Sequence, residues 1–245
     1  MDENPNHASH PSQGEKTPRN PILTLLGFAI YLLFVPALLF LSAGTLRWPM
    51  AWVYTALLLL STVGSRLVTL FKHPDLLRER GRFIEAEGTP TWDRILVPIV
   101  GLYGPMAAMI VAGLDHRWDW SRNVPPLMQY FATAAIAFGY GIAVWAMIVN
   151  RFFSAVARVQ TDRDQVVVTS GPYRYLRHPS YAGALIASLA LPLMLNALWT
   201  YIPAVAMCTA LILRTSLEDR MLLEELDGYA AYASNTRYRL IPGIW

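Results

Sequence analysis

The sequence predicts an all-α integral membrane protein of about six transmembrane helices, the last two folded as a tight helical hairpin, with a cytoplasmic C-terminal helical segment. Three observations carry that expectation. Of the 245 residues, 54% are hydrophobic and only 15% are charged, against about 25% charged in soluble domains, and the mean hydropathy is +0.33. The apolar residues come in runs of the length, about 20 residues, that a bilayer core demands of one helix. Basic residues gather in alternate connections between those runs.

Residues 1–20, MDENPNHASHPSQGEKTPRN, form a polar tail rich in Pro, Asn and Ser. Such a stretch cannot bury enough apolar surface to order itself. It has no basic n-region followed by a short apolar core and a small-residue cleavage site, so the first apolar run is expected to be an uncleaved anchor. That run covers 22–43. The second covers 49–71, with Trp48, Trp52 and Tyr54 near one interface. The third covers 95–114 and the fourth 127–149. These four make an N-terminal membrane region, 21–149, with a connection at 72–94. That connection mixes leucines with alternating charges, and reads as an ordinary solvated connector or a short interfacial helix before a Gly-Thr-Pro turn.

Residues 181–213 are one long apolar run with Pro192, Asn196 and Pro203 in its middle. A single helix of that length would reach about 50 Å, against a hydrocarbon core of about 30 Å. The expectation is a hairpin of helices at 180–195 and 198–216, and the alternative is one tilted, kinked helix. Charge supports the hairpin. Lys and Arg number two in the tail, five in 72–94, five in 150–178 and four in 214–245, while Arg47, Arg117 and Arg122 fall on the other side. Arg66, near the basic-side end of its span, is placed where it could snorkel. By the positive-inside rule both termini and the two long connections face the cytoplasm, as six spans require, and the chain resides in an inner or cytoplasmic membrane.

The formal charge of +3 comes from arginines scattered between apolar spans, which does not suit a nucleic-acid partner. Cys208 is the one cysteine; it lies in an apolar run and is expected to be a packing residue. No Cys/His cluster has metal-ligand spacing, so no metal is expected.

Two polar regions flank the proposed hairpin: NRFFSAVARVQTDRDQVVVTSGPYRYLRHPSY at 150–181 and RTSLEDRMLLEELDGYAAYASNTRYRLIP at 214–242. A hairpin returns the chain to the side it left, so the two should meet. In the first, QVVVTSGPY reads as a short extended piece ending in a Ser-Gly-Pro turn. His178 precedes Pro179, which suits Pro179 as the first residue of a helix. Arg174, Arg177 and His178 then stand at a helix N-terminus, where free backbone N–H groups favour anions. Anchoring to lipid phosphates is the competing reading of these cations. In the second region, Arg214 and Glu218 share a helix face, with Asp219 beside them. Ionisable groups at a membrane boundary are costly and often functional.

The sequence GPYRYLRHPSYAG, a hydrophobic hairpin, RTSLED and then EELDGYAAYASNTRYRLIP together resemble the isoprenylcysteine carboxyl methyltransferase family, within a wider membrane methyltransferase group that includes phospholipid N-methyltransferases. The resemblance covers residues 145–245, so that 150–245 is read as the methyltransferase region. It implies S-adenosyl-L-methionine as the methyl donor. It implies that His178, Tyr181 and Gly183 line the cofactor pocket, with Arg177 and Pro179 shaping the turn. Glu218 and Asp219 take the paired-acid position, holding the cofactor or aligning the site; the family commonly has two glutamates there. Arg214 is implied to face the acceptor, Tyr229 and Tyr232 to close the cytoplasmic side, and Arg237 and Arg239 to assist.

The chemistry suits these residue types. Aromatic faces and carboxylates stabilise a sulfonium, and Arg or a helix N-terminus suits the donor's own carboxylate. A carboxylate acceptor is already ionised and needs alignment and water exclusion; Arg214 would orient it. An amine acceptor must lose a proton, and Glu218 would act as base. The leading expectation is carboxyl O-methylation of an isoprenylcysteine-like, lipophilic or lipidated acceptor reached from membrane lipid. Phospholipid or amine N-methylation is the alternative. A nicotinamide-dependent membrane reductase and a non-catalytic membrane protein are the remaining readings.

Overall fold

The computed structural model describes residues 21–72, 88–121 and 124–245, and among them it is helical, with no strand. The expectations for the tail 1–20 and for an interfacial helix within 73–87 lie outside the described residues. Helix α1 spans Pro21–Ala43, α2 Pro49–Lys72, α3 Thr91–Trp118, α4 Pro126–Val149, α5 Pro179–Met194, α6 Tyr201–Glu225 and α7 Tyr229–Asn235. Among the described residues four helical stretches are long and apolar enough to cross a membrane: Pro49–Lys72, Thr91–Trp118, Pro126–Val149 and Leu198–Glu225. Pro179–Met194 is a shorter apolar helix, and α1 is apolar over its described part, Leu32–Ala43. The 16 residues of α5 rise only about 24 Å. The chain is thus a helical integral membrane protein with four clear spans among the described residues.

The hairpin expectation is met, and the single kinked helix is excluded. Helix α5 ends at Met194, Asn196 takes a left-handed conformation (φ 51°), and a 3-10 turn at Leu198–Thr200 leads into α6. The Asn196 side chain accepts a hydrogen bond from Val124 N–H at 2.9 Å, which ties the turn to the start of α4. Asn tolerates the left-handed region better than most residues, so the reversal falls where it stands.

Helix α3 is longer than the span expected at 95–114, because both of its charged ends are satisfied. At one end Asp93 pairs with Arg214. At the other, the fully buried Asp115 accepts from Ser121 N–H (2.7 Å), the Ser121 hydroxyl (2.7 Å) and Trp199 N–H (3.0 Å). Within α3 the backbone widens to a π-turn over Ile99–Tyr103, just after Pro98. Proline supplies no N–H to the regular ladder, and a wider turn re-pairs the neighbouring groups.

Helices α4 and α5 run antiparallel at close range. A Cβ on Gly183 would collide with the Gly139 carbonyl oxygen, and one on Gly139 with that of Gly183. Small residues let membrane helices approach this closely and gain packing where no hydrophobic drive operates. The central core of Leu39, Trp48, Met109, Ile136, Met194 and Leu195 holds the end of the molecule opposite the polar regions. The piece QVVVTSGPY, expected to be extended, forms no strand pairing; it passes through irregular backbone to a 3-10 turn at Gly171–Arg174.

Candidate active site

The two polar regions meet, as the hairpin requires. Pro179 is the first residue of α5, and Arg177 and His178 immediately precede it. Glu218 and Asp219 lie near the end of α6. The C-terminal segment then returns alongside: Arg177 N–H donates to Tyr238 O (2.9 Å) and His178 N–H to Arg239 O (3.0 Å). This pairing fixes Arg177 and His178 against the acids.

Asp219, 0% exposed, is the hub of that junction. Arg239 Nε donates to it at 2.7 Å, Arg177 Nη1 stands at 3.0 Å, the Tyr229 hydroxyl donates at 2.9 Å, and His178 Nε2 lies at 3.3 Å. A carboxylate this buried requires such company, since desolvation must be offset by paired charge and hydrogen bonds. The shorter acid thus sits within the wall and is spoken for. Glu218 differs: it is half-buried, accepts from the Tyr181 hydroxyl at 2.7 Å, and lines a cleft.

The cleft lies between the segment 150–158, the segment 165–168, the start of α5, the end of α6 and α7, and encloses about 780 Å³ including the space open at its mouth. Tyr173, Tyr181, Tyr229, Tyr232, Phe152 and Phe153 give it aromatic walls. Arg177, His178 and Glu218 supply its charge and polarity. Arg177 Nε is buried and has no hydrogen-bond partner among the described residues, so an unused donor stands in the wall. The His178 ring lies nearly parallel to that of Tyr181, with centroids 5.7 Å apart.

The tyrosines are held as neutral phenols. Burial pushes Tyr173 and Tyr229 well above the usual phenol range, and the Asp219 charge adds to the effect at Tyr229. Burial pushes Tyr232 up to about 12. Tyr232 closes the site from below by donating to Tyr173 O at 2.8 Å, while Asn150 Nδ2 donates to the Tyr173 hydroxyl at 3.1 Å.

Two expected site residues stand elsewhere. Gly183 does not line the cleft; it faces Gly139, and its small size serves the helix contact. Arg214 does not line it either. Its Nε donates to Asp93 Oδ1 at 2.7 Å and its Nη2 to Ala155 O at 3.1 Å, and the guanidinium lies 5.2 Å from the Tyr181 ring centroid. Pro179 is buried and acts through helix initiation. Arg237 is exposed, and its carbonyl accepts from Arg177 Nη2 at 3.3 Å. Among the described residues no group of three acidic, His or Cys side chains has metal-binding geometry.

Asp93 is the residue that the sequence reading missed. It was absorbed into the connection 72–94, yet it is 0% exposed and belongs to α3. An acid directly before an apolar run was the available signal. Asn150, Phe152 and Phe153, carried by irregular backbone whose path no periodicity foretells, and Tyr173, on the 3-10 turn, also join the site.

A family model described as phospholipid methyltransferase matches residues 127–226. The matched stretch holds α4, the segment 150–178 and the hairpin, and so most of the cleft. It supports the wider membrane methyltransferase group and does not single out the isoprenylcysteine branch. No curated protein matches the chain.

Proposed function

We propose that this chain is an integral membrane methyltransferase that takes its methyl group from S-adenosyl-L-methionine and passes it to a lipophilic acceptor reached from the bilayer. The observation that carries the reading is the cleft itself: aromatic walls, a cleft-lining carboxylate at Glu218 and an unpaired buried donor at Arg177 Nε. That donor set fits the group. The methyl donor supplies an activated methyl on a cationic sulfur, which departs as a neutral thioether when the acceptor atom bonds to the methyl carbon. The faces of Tyr181, Tyr173 and Tyr229 would stabilise the cationic sulfur. Arg177 would bind the donor's carboxylate, and His178 and Tyr181 would orient it. Asp219 holds Arg177, His178 and Tyr229 in place for that task.

The motif leads to an isoprenylcysteine-like carboxylate as acceptor, oriented by Arg214. A second reading, N-methylation of a phospholipid or other amine, has a specific observation in its favour. Arg214 is already neutralised by Asp93, whereas Glu218 stands at the cleft wall, able to take the proton that an amine must release. Incubating membrane lipids with labelled donor separates the two: a base-labile methyl ester marks the first, and a methylated headgroup stable to base marks the second.

Purified protein is expected to bind S-adenosyl-L-methionine in calorimetry, and His178→Ala and Glu218→Ala are expected to lose that binding while retaining the helical circular dichroism of wild type. Wild-type affinity in both variants would remove the site. Binding of a nicotinamide dinucleotide in its place would establish the reductase reading. The basic-residue asymmetry further supports a cytoplasmic location for the cleft and both termini.

A further inference from the structure

Asp93 lies outside the matched stretch 127–226, at the first turn of α3, and is fully buried. Its two oxygens accept from Arg214 Nε (2.7 Å), Arg214 Nη2 (3.4 Å) and Ala157 N–H (2.6 Å). Arg214 Nη2 in turn donates to Ala155 O at 3.1 Å. One ion pair therefore grips a carbonyl and an N–H two residues apart on the same stretch of chain. That stretch is the cleft wall: Phe152, Phe153, Ser154 and Val156 all line it. Other ties set its curvature, among them Phe152 N–H to Asn150 Oδ1 (2.8 Å), Gln160 Nε2 to Phe152 O (2.7 Å) and Asn150 Nδ2 to the Tyr173 hydroxyl (3.1 Å).

We propose that Asp93 is a positioning residue of the candidate active site, which, with Arg214, clamps the segment 152–158 in place as the wall of the cleft. The inference rests on reading that cleft as the donor site. A buried carboxylate is an expensive way to fill space, and an apolar pair of similar volume would hold two helices together as well. What an apolar pair could not do is hold a backbone carbonyl and a backbone N–H at once. The segment 150–160 is irregular, so its polar groups have no ladder partners and depend on such ties. The same pair fixes Arg214 over the Tyr181 ring (5.2 Å), and the Tyr181 hydroxyl reaches Glu218 at 2.7 Å. A shift of the clamp is thereby felt at the cleft carboxylate.

The test uses the full chain in lipid nanodiscs and two readouts. Hydrogen–deuterium exchange is followed in peptides from 150–160 and, as internal reference, from 126–149. Affinity for S-adenosyl-L-methionine is measured by calorimetry. Asp93→Asn is expected to speed exchange in 150–160 by about tenfold or more and to weaken donor affinity by about tenfold, with 126–149 exchanging as in wild type. Asp93→Glu keeps the charge and is expected to recover most of the protection. Should Asp93→Asn not fold, Asp93→Ala/Arg214→Met replaces the buried pair with apolar groups and should show the same local loss of protection on an intact fold. Unchanged exchange in 150–160 would overturn the proposal. So would acceleration spread equally over 126–149, which would make Asp93 a general scaffold residue. Failure of wild type to bind the donor would fell the functional reading instead, and the exchange measurement would still decide the clamp.

Discussion

Glu218 and Asp219 are adjacent in sequence, yet α6 turns one to the cleft and the other into the protein. The difference is measurable. Asp219→Asn leaves Arg177 and Arg239 facing a buried site without their counter-charge, and is expected to cost about 3 kcal/mol of stability, read from thermal or denaturant unfolding in detergent. Glu218→Gln, at a half-buried position that keeps a hydrogen-bonding oxygen for Tyr181, should cost under about 1 kcal/mol and instead remove methyl transfer. The phenols give a second test. Tyr173, Tyr229 and Tyr232 are raised in the folded chain, so the fold favours their neutral form. Their contribution is complete below about pH 10, where the unfolded phenols titrate, and is lost as pH rises through the folded values. Absorbance at 295 nm during alkaline titration should show a subset of the 12 tyrosines ionising only at or beyond about pH 12, Tyr232 first. At this scale the sequence named His178, Tyr181, Glu218 and Tyr229 correctly as neighbours, because the motif holds them at the two mouths of a hairpin. It missed Asp93, since an acid at the edge of a connector looks the same whether it meets water or an arginine 121 positions away.

At the scale of elements, the hairpin was legible because length, two prolines and an asparagine all opposed a single helix. The close contact of α4 with α5 was not. A glycine inside an apolar helix reads alike whether it faces a ligand or another backbone; the resemblance implied the first for Gly183, and the structure packs it against Gly139. Gly183→Ala is expected to force the two helices apart and to destabilise the protein by about 1–3 kcal/mol. Donor affinity should remain at the wild-type value in the folded fraction; a selective loss of affinity without loss of stability would return Gly183 to the pocket. At the turn, Asn196→Gly preserves the left-handed backbone and removes only the bond to Val124 N–H. Asn196→Ala removes the bond and strains the backbone as well. The alanine variant should therefore melt below the glycine variant, and both below wild type.

For the molecule as a whole, the charge asymmetry predicts that the cleft faces the cytoplasm. With Cys208 replaced by alanine, Ser234→Cys at the cleft end and Leu46→Cys at the opposite end, both exposed, should react from opposite faces of sealed membranes with an impermeant maleimide. Reaction of Ser234→Cys from outside intact cells would reverse the orientation. The sequence by itself determined that the chain is a helical membrane protein and roughly where its apolar helices run, and it favoured a reversal of the last two over one kinked helix, and with it the meeting of the two polar regions. These follow from hydrophobic length and proline placement, which act locally along the chain. Only the tertiary structure decided that Asp219 is consumed by Arg177, Arg239 and Tyr229, that Gly183 serves a helix contact, and that α3 reaches into the site through Asp93. Each of those depends on which buried charge finds which partner. In a low-dielectric interior an ionised group must be paired wherever the fold brings a partner near, and nothing in the spacing of residues says where that will be.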